Sequence, residues 1–309
     1  MAERLVPSTL DPAVLKERLG STGVWLASLS SVSAAEERRA AAEIEQLGYR
    51  ALWFGETTDG REALTHAALL LSATTSLVVA TGIANIYGRD ATSAANGAAT
   101  LAEAWPGRFV LGLGVSHMPL VTKRGHDYGK PVTAMRAYLD GMDATTTTVP
   151  MLEAPPRVLA ALGPKMLELA AARTQGAHPY FTTPEHTAEA RRVLGPKPLL
   201  APEQAVVLET DPERARRVGR DYARFYLTLP NYLGTLRTLG FTDADFADGG
   251  SDALIDAIVP WGDAETLATR IRAHHQAGAD HVAVQPIADT VDEQLDHLRQ
   301  LAPVLNNRP

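Results

Sequence analysis

Gln46-Leu47-Gly48-Tyr49-Arg50-Ala51-Leu52-Trp53 and Gln276-Ala277-Gly278-Ala279-Asp280-His281-Val282-Ala283 follow one pattern: a helix end, a glycine, then a short apolar strand. Glycine ends a helix at such a point because it takes a left-handed backbone without steric cost. A strand that begins directly after it is the return half of a βαβ unit. Working outward, the same alternation of Ala-rich helical segments and apolar runs extends along the chain. The runs Gly23–Leu26, Ala51–Gly55, Leu77–Thr81, Phe109–Val115, Arg157–Ala161, Ala177–Phe181, Gln204–Glu209 and His281–Gln285 are predicted strands. They are continuously apolar rather than alternating, as expected of parallel strands covered on both sides.

Eight strands in 309 residues point to an α/β fold in which a (β/α)8 TIM barrel closes on itself, as one domain spanning 1–309. The helices carry their own punctuation. Ser33 and Glu36 form a capping box, with Ala40, Ile44 and Leu47 on the inward stripe. Thr183-Pro184 and Asp211-Pro212 each set a cap before a first-turn proline. Gly262-Asp263 opens the last crossover helix, with Leu267 and Ile271 facing inward. Two intervals, about 116–156 and 226–261, exceed one crossover helix and are expected as insertions over the C-terminal mouth, where barrel chemistry resides. The Pro- and Gly-rich runs Pro150–Pro156 and Gly195–Pro202 are predicted loops.

Composition excludes several classes. The chain has no Cys, which removes disulfides, thiol nucleophiles and Cys-based metal sites. A formal charge of −7 argues against general nucleic-acid binding, which needs a basic face. The start, Met1-Ala2-Glu3-Arg4-Leu5-Val6-Pro7, lacks the apolar core of a signal peptide, and no run reaches the roughly 18 to 20 apolar residues of a membrane span. A cytoplasmic enzyme acting on a small molecule is expected. No His-x-x-x-His with a flanking Glu and no Gly-x-Ser-x-Gly occurs, so neither a zinc site nor an esterase nucleophile is expected.

Four segments carry candidate chemistry. Phe109–Val115 contains Gly-x-Gly but lacks the third glycine of a dinucleotide fingerprint, so its glycines are read as packing positions of a barrel strand. Ser116 and His117 follow at its C-terminal end, where barrel enzymes place working side chains. Thr81-Gly82-Ile83-Ala84-Asn85-Ile86-Tyr87-Gly88-Arg89-Asp90 runs from the third strand into polar residues, with Asp90 as helix cap and Asn85, Tyr87 or Arg89 lining the mouth. Gly163-Pro164-Lys165-Met166 turns the fifth strand into a helix whose free N–H groups make a phosphate seat or a plain helix entry. His178 and Tyr180 stand around the sixth strand, as core or as substrate-contacting residues, and His274-His275 is expected on the surface of the last crossover helix. An aldolase-type barrel would want a Lys at an inner strand end, and none is found.

Ala51–Glu56, Thr81–Asn85, Phe109–His117, Leu162–Glu168 and His178–Tyr180, in this order and spacing, resemble the luciferase-like monooxygenase superfamily, and within it the actinobacterial branch that uses the deazaflavin coenzyme F420. The resemblance covers nearly the whole chain. It implies a cis peptide at Gly82-Ile83 in a bulge after the third strand, a cofactor phosphate at Gly163, Pro164, Lys165 and Met166, and a homodimer. Gly82, Ile83, Asn85 and Ser116 would meet the cofactor ring, and Tyr87, His178 and Tyr180 the substrate. His117 would exchange a proton, with Glu56 as its orienting or charge-balancing partner. The implied activity is F420-dependent hydride transfer to or from an organic substrate. The alternatives are an FMN-dependent monooxygenase on the same fold and a flavin-binding protein without turnover. The sugar-phosphate dehydrogenase branch carries a His where this chain has Glu56 and a Glu where it has His117, which argues against sugar-phosphate oxidation.

Overall fold

A computed structural model describes residues 3–4, 8–150 and 153–306, so Met151 and Leu152 of the predicted Pro150–Pro156 loop lie outside the described residues, as do most of residues 1–7. The barrel strands are β1 (Thr22–Trp25), β2 (Ala51–Phe54), β3 (Val78–Thr81), β4 (Phe109–Gly114), β5 (Arg157–Leu159), β6 (Gly176–Ala177), β7 (Leu199–Leu200 and Glu203–Val206) and β8 (Val282–Pro286). All are parallel and pair in sequence order, with registers such as Val24 opposite Leu52 and Leu159 opposite Ala177.

β7 closes the ring. Its first half pairs with β6 and its second half with β8, and Ala201 and Pro202 between them stay hydrogen-bonded: Ala201 N–H donates to the Ala177 carbonyl and Ala283 N–H to the Pro202 carbonyl, both at 2.9 Å. This corrects the expectation of a loop over Gly195–Pro202 and of a seventh strand starting at Gln204. Pro202 has no N–H to give, so it breaks the ladder without ending the strand.

Outside the barrel lie α2 (Ala34–Gln46), α3 (Ala63–Ser72), α4 (Ala91–Ala104), α6 (Pro131–Ala144), α7 (Pro164–Arg173), α8 (Pro184–Leu194), α13 (Ala264–Gln276) and α14 (Val291–Leu305), each touching the next around the circle. Ser33, Asp90, Thr183 and Asp263 cap their helices as expected, through bonds to the N–H of Glu36, Ser93, His186 and Thr266. Strand residues divide cleanly. Leu52, Val79, Leu111 and Leu159 pack outward on the helices, whereas Trp53, Val78, Val110, Val158 and Ala283 fill the interior. The N-terminal end is plugged by α1 (Pro12–Leu19), whose Leu15 and Leu19 enter that interior core.

The two insertions differ from their predicted bounds. Between β4 and β5, α6 is the ordinary crossover and only α5 (Met118–Lys123) with its flanks is added. The second begins earlier than 226, because Val207 pairs with Trp261 and brackets α9 (Pro212–Tyr226), α10 (Pro230–Thr238), α11 (Asp243–Phe246) and α12 (Asp252–Ile258). No helix among the described residues is long and apolar enough to cross a membrane.

Candidate active site

β3 leaves the barrel through a Gly82-Ile83 peptide that is cis, as expected. The glycines of β4 make room for that bulge: a Cβ on Gly112 would stand 1.9 Å from the Thr81 carbonyl oxygen, and one on Gly114 would stand 2.4 Å from the Ile83 side chain. Gly-x-Gly here serves close packing, as its reading as a barrel strand requires. Gly82 and Ile83 remain partly exposed at the mouth.

Beneath Gly82 two buried nitrogens converge without partners. Nε1 of Trp25 and Nε2 of His178 lie 2.7 and 2.8 Å from the point where a Cβ on Gly82 would stand, and neither makes a hydrogen bond. His178 donates from Nδ1 to the Ala201 carbonyl at 2.6 Å and stacks on Trp53, with centroids 4.4 Å apart. Burial pushes its pKa down to about 4, so the ring is neutral and its free Nε2 is an acceptor. An unpaired donor and an unpaired acceptor sit side by side under the bulge, and such groups are costly unless something pairs them.

Glu56, beyond β2, holds the bulge from outside. Its carboxylate accepts the Asn85 N–H at 2.7 Å and the Ala63 N–H at 3.3 Å, and is ion-paired with Arg89, which also reaches Glu62 at 2.9 Å. Asn85 turns back on its own loop, accepting the Tyr87 N–H at 3.0 Å, and the Tyr87 hydroxyl donates to the Tyr128 carbonyl at 2.9 Å. Tyr128 in turn donates to the Ser116 carbonyl at 3.1 Å. The expected partnership of Glu56 with His117 is not made, because Arg89 and two backbone N–H groups take the carboxylate. His117 instead faces Tyr232 and Phe225 of the second insertion, with centroids 5.5 and 6.4 Å away. Burial lowers its pKa, opposed by a side-chain hydrogen bond with Asn231, and its Nδ1 has no partner. Burial therefore favours the neutral form of its ring.

Across the mouth, α7 starts at Gly163 with no side chain capping it. Gly163, Pro164 and Lys165 are exposed and Met166 is buried, and nothing stands within 4 Å of where a Cβ on Gly163 would be. The dipole and free N–H groups of this helix end face open space, which suits an anion.

Tyr180, beyond β6, is the centre of a hydroxyl cluster that sequence reasoning missed. Its oxygen lies 2.9 Å from the Tyr226 hydroxyl, accepts from Tyr222 at 3.0 Å and donates to Gln285 Oε1 at 2.9 Å. Its ring packs 5.1 Å from Trp25. Trp25 and Gln285 sit on β1 and β8 on the barrel's inner side, a position alternation along those strands could have revealed. Tyr222 and Tyr226 are one turn apart on α9, and no local signal says where that helix docks. His274, expected at the surface, is fully buried between Thr187 and Gln204, each 2.8 Å from a ring nitrogen. It continues the Leu267, Ile271 stripe, which is the signal that would have found it.

A family model described as luciferase-like monooxygenase matches residues 9–281. Over 150 residues the chain is 29% identical to the 5,10-methylenetetrahydromethanopterin reductase of Methanolobus tindarius, a match covering 43% of this chain and 46% of that protein. The matched part is thus about half of that relative's length. In structure the chain is similar to the coenzyme F420-dependent tetrahydromethanopterin reductase from Methanopyrus kandleri, with a TM-score of 0.68, 18% identity and coverage of 92% of this chain and 98% of that one. It is equally similar to the oxygenating constituent of 3,6-diketocamphane monooxygenase from Pseudomonas putida in complex with FMN, with a TM-score of 0.69, 15% identity and coverage of 91% and 95%. At these identities the structural likeness establishes the barrel. The chain belongs to the luciferase-like monooxygenase family.

Proposed function

We propose that this protein is a coenzyme F420-dependent oxidoreductase that passes a hydride between the deazaflavin and a small organic substrate. The observation that carries it is the pairing, in one mouth, of a partly open bulge over two unpaired buried nitrogens with an open, uncapped helix N-terminus. The first suits a flat ring with donor and acceptor groups, the second a phosphate. The sequence match to the reductase of Methanolobus tindarius supports F420 over FMN, and the F420-dependent reductase from Methanopyrus kandleri has a similar barrel. The FMN complex on the same fold supports the second reading, a monooxygenase.

In the proposed site Gly82, Ile83, Asn85 and Ser116 border the ring, and Gly163 to Met166 hold the phosphate with Lys165 adding charge. Tyr87 and Tyr180 border the substrate, whereas His178, expected at the substrate, lies buried beneath the bulge on the side of the ring. When bound, the cofactor supplies the hydride step, and the protein supplies orientation and electrostatics. Glu56 acts at one remove, by tying Asn85 and hence the bulge in place. His117 is the base: neutral at pH 7, it takes a proton when a substrate hydroxyl is oxidised. The test is anaerobic. Reduced F420 bound to the protein should be reoxidised by substrate without oxygen, and a strict need for oxygen would favour the monooxygenase instead.

A further inference from the structure

Glu203 begins the second half of β7 and has no part in the reaction as assigned so far. Its neighbour Gln204 points outward, with its amide oxygen 2.8 Å from the His274 ring on α13. Alternation along the strand therefore turns Glu203 inward, into the upper barrel interior, where it is fully buried. Oε2 accepts the Phe181 N–H at 3.1 Å and Oε1 has no partner. The groups facing it are phenols: Tyr180 beyond β6, Tyr222 and Tyr226 from α9, and Tyr232 from α10, each pushed upward in pKa with Glu203 among the causes. Burial pushes the Glu203 pKa up to about 8, opposed only by the Phe181 N–H, with no cation contributing.

We propose that Glu203 is the proton donor of this mouth, a buried carboxylic acid that protonates the oxygen of a carbonyl substrate as a hydride reaches its carbon. The proposal rests on the redox reading above and adds to it a direction and a substrate class. In the step, a C–H bond forms at the carbonyl carbon with the electron pair of the hydride from the reduced cofactor. The C–O π pair moves to oxygen, and the Glu203 proton completes the alcohol. The substrate is reduced by two electrons, the cofactor is oxidised by two, and the carboxylate left behind regains a proton from water. In the reducing direction Glu203 rests with its proton in place while His117 is neutral. In reverse the Glu203 carboxylate would take the same proton back, so for a carbonyl substrate Glu203 stands in for His117 in the proton role.

Infrared difference spectroscopy of the wild-type protein against Glu203→Gln tests the acid directly. The expected result is a carbonyl stretch of a protonated carboxyl group, present in wild type at pH 7, fading near pH 8 and missing from the variant. Loaded with reduced F420 and given a panel of small aldehydes and ketones, Glu203→Gln is expected to turn over about 100-fold or more slowly with F420 affinity unchanged. Glu203→Asp, which keeps an acid, should recover part of the rate and covers the case in which the Gln variant does not fold. A missing carboxyl band, or turnover of Glu203→Gln within a few-fold of wild type, overturns the proposal. Wild type that binds F420 but reduces no carbonyl overturns the substrate class alone, whereas wild type that binds no F420 overturns the redox reading beneath it.

Discussion

Glu203 and the buried histidines leave opposite marks on stability, and each can be read one residue at a time. His66 and His178 are pushed down to about 4 and His274 and His281 to about 3, all by burial first. A histidine whose folded pKa is depressed contributes stability that is complete above its unfolded value near 6.5 and lost as pH falls. Glu203 has the reverse sign. Its folded pKa is raised above the unfolded value near 4.3, so its contribution declines as pH rises from about 4 to about 8, by ~1.4 kcal/mol per pH unit at the steepest. Glu203→Gln should therefore gain stability over wild type steadily across that window in denaturant titrations, and a pH-independent difference would show that the carboxyl is ionised. His117 was visible in the sequence because it ends a strand. Glu203 was not, because Pro202 made the strand look as if it began one residue later.

Elements were more legible than sites. The helix caps at Ser33, Asp90, Thr183 and Asp263 follow from local chemistry that tertiary contacts do not override. Asp90→Ala removes the bond to the Ser93 N–H at 2.8 Å and should cost about 1 kcal/mol by thermal unfolding, without moving the strands. Gly112→Ala tests the close approach of β3 and β4, because its Cβ would lie 1.9 Å from a backbone oxygen that cannot turn aside. It should destabilise by ~1–3 kcal/mol or prevent folding, and a neutral effect would mean the bulge is not seated as described. At α7, Lys165→Glu reverses a charge at the uncapped end and should weaken F420 by about 1 kcal/mol, roughly fivefold in Kd. Wild-type affinity in that variant would move the phosphate elsewhere. The insertions resisted prediction because nothing local reveals that Val207 pairs with Trp261, or that α9 lays two tyrosines on Tyr180.

At the scale of the molecule, the closed barrel divides labour between its ends. Leu15 and Leu19 seal the N-terminal side with apolar packing, and the C-terminal side gathers Trp25, His178, Tyr180, Glu203 and Gln285 around a bulge that only a glycine allows. The histidines add a global signature. His66, His178, His274 and His281 must charge on acidification, so these four alone should steepen the fall of stability by up to four protons between about pH 6 and pH 4, less the one proton by which Glu203 opposes it. The central claim is that this mouth takes a deazaflavin. It is tested most directly by titrating the purified protein with F420 and, separately, with FMN, following the fluorescence of each. The expected result is saturable binding of F420 with affinity well above that for FMN, weakened in Lys165→Glu. Tighter binding of FMN, or no binding of F420, would contradict it.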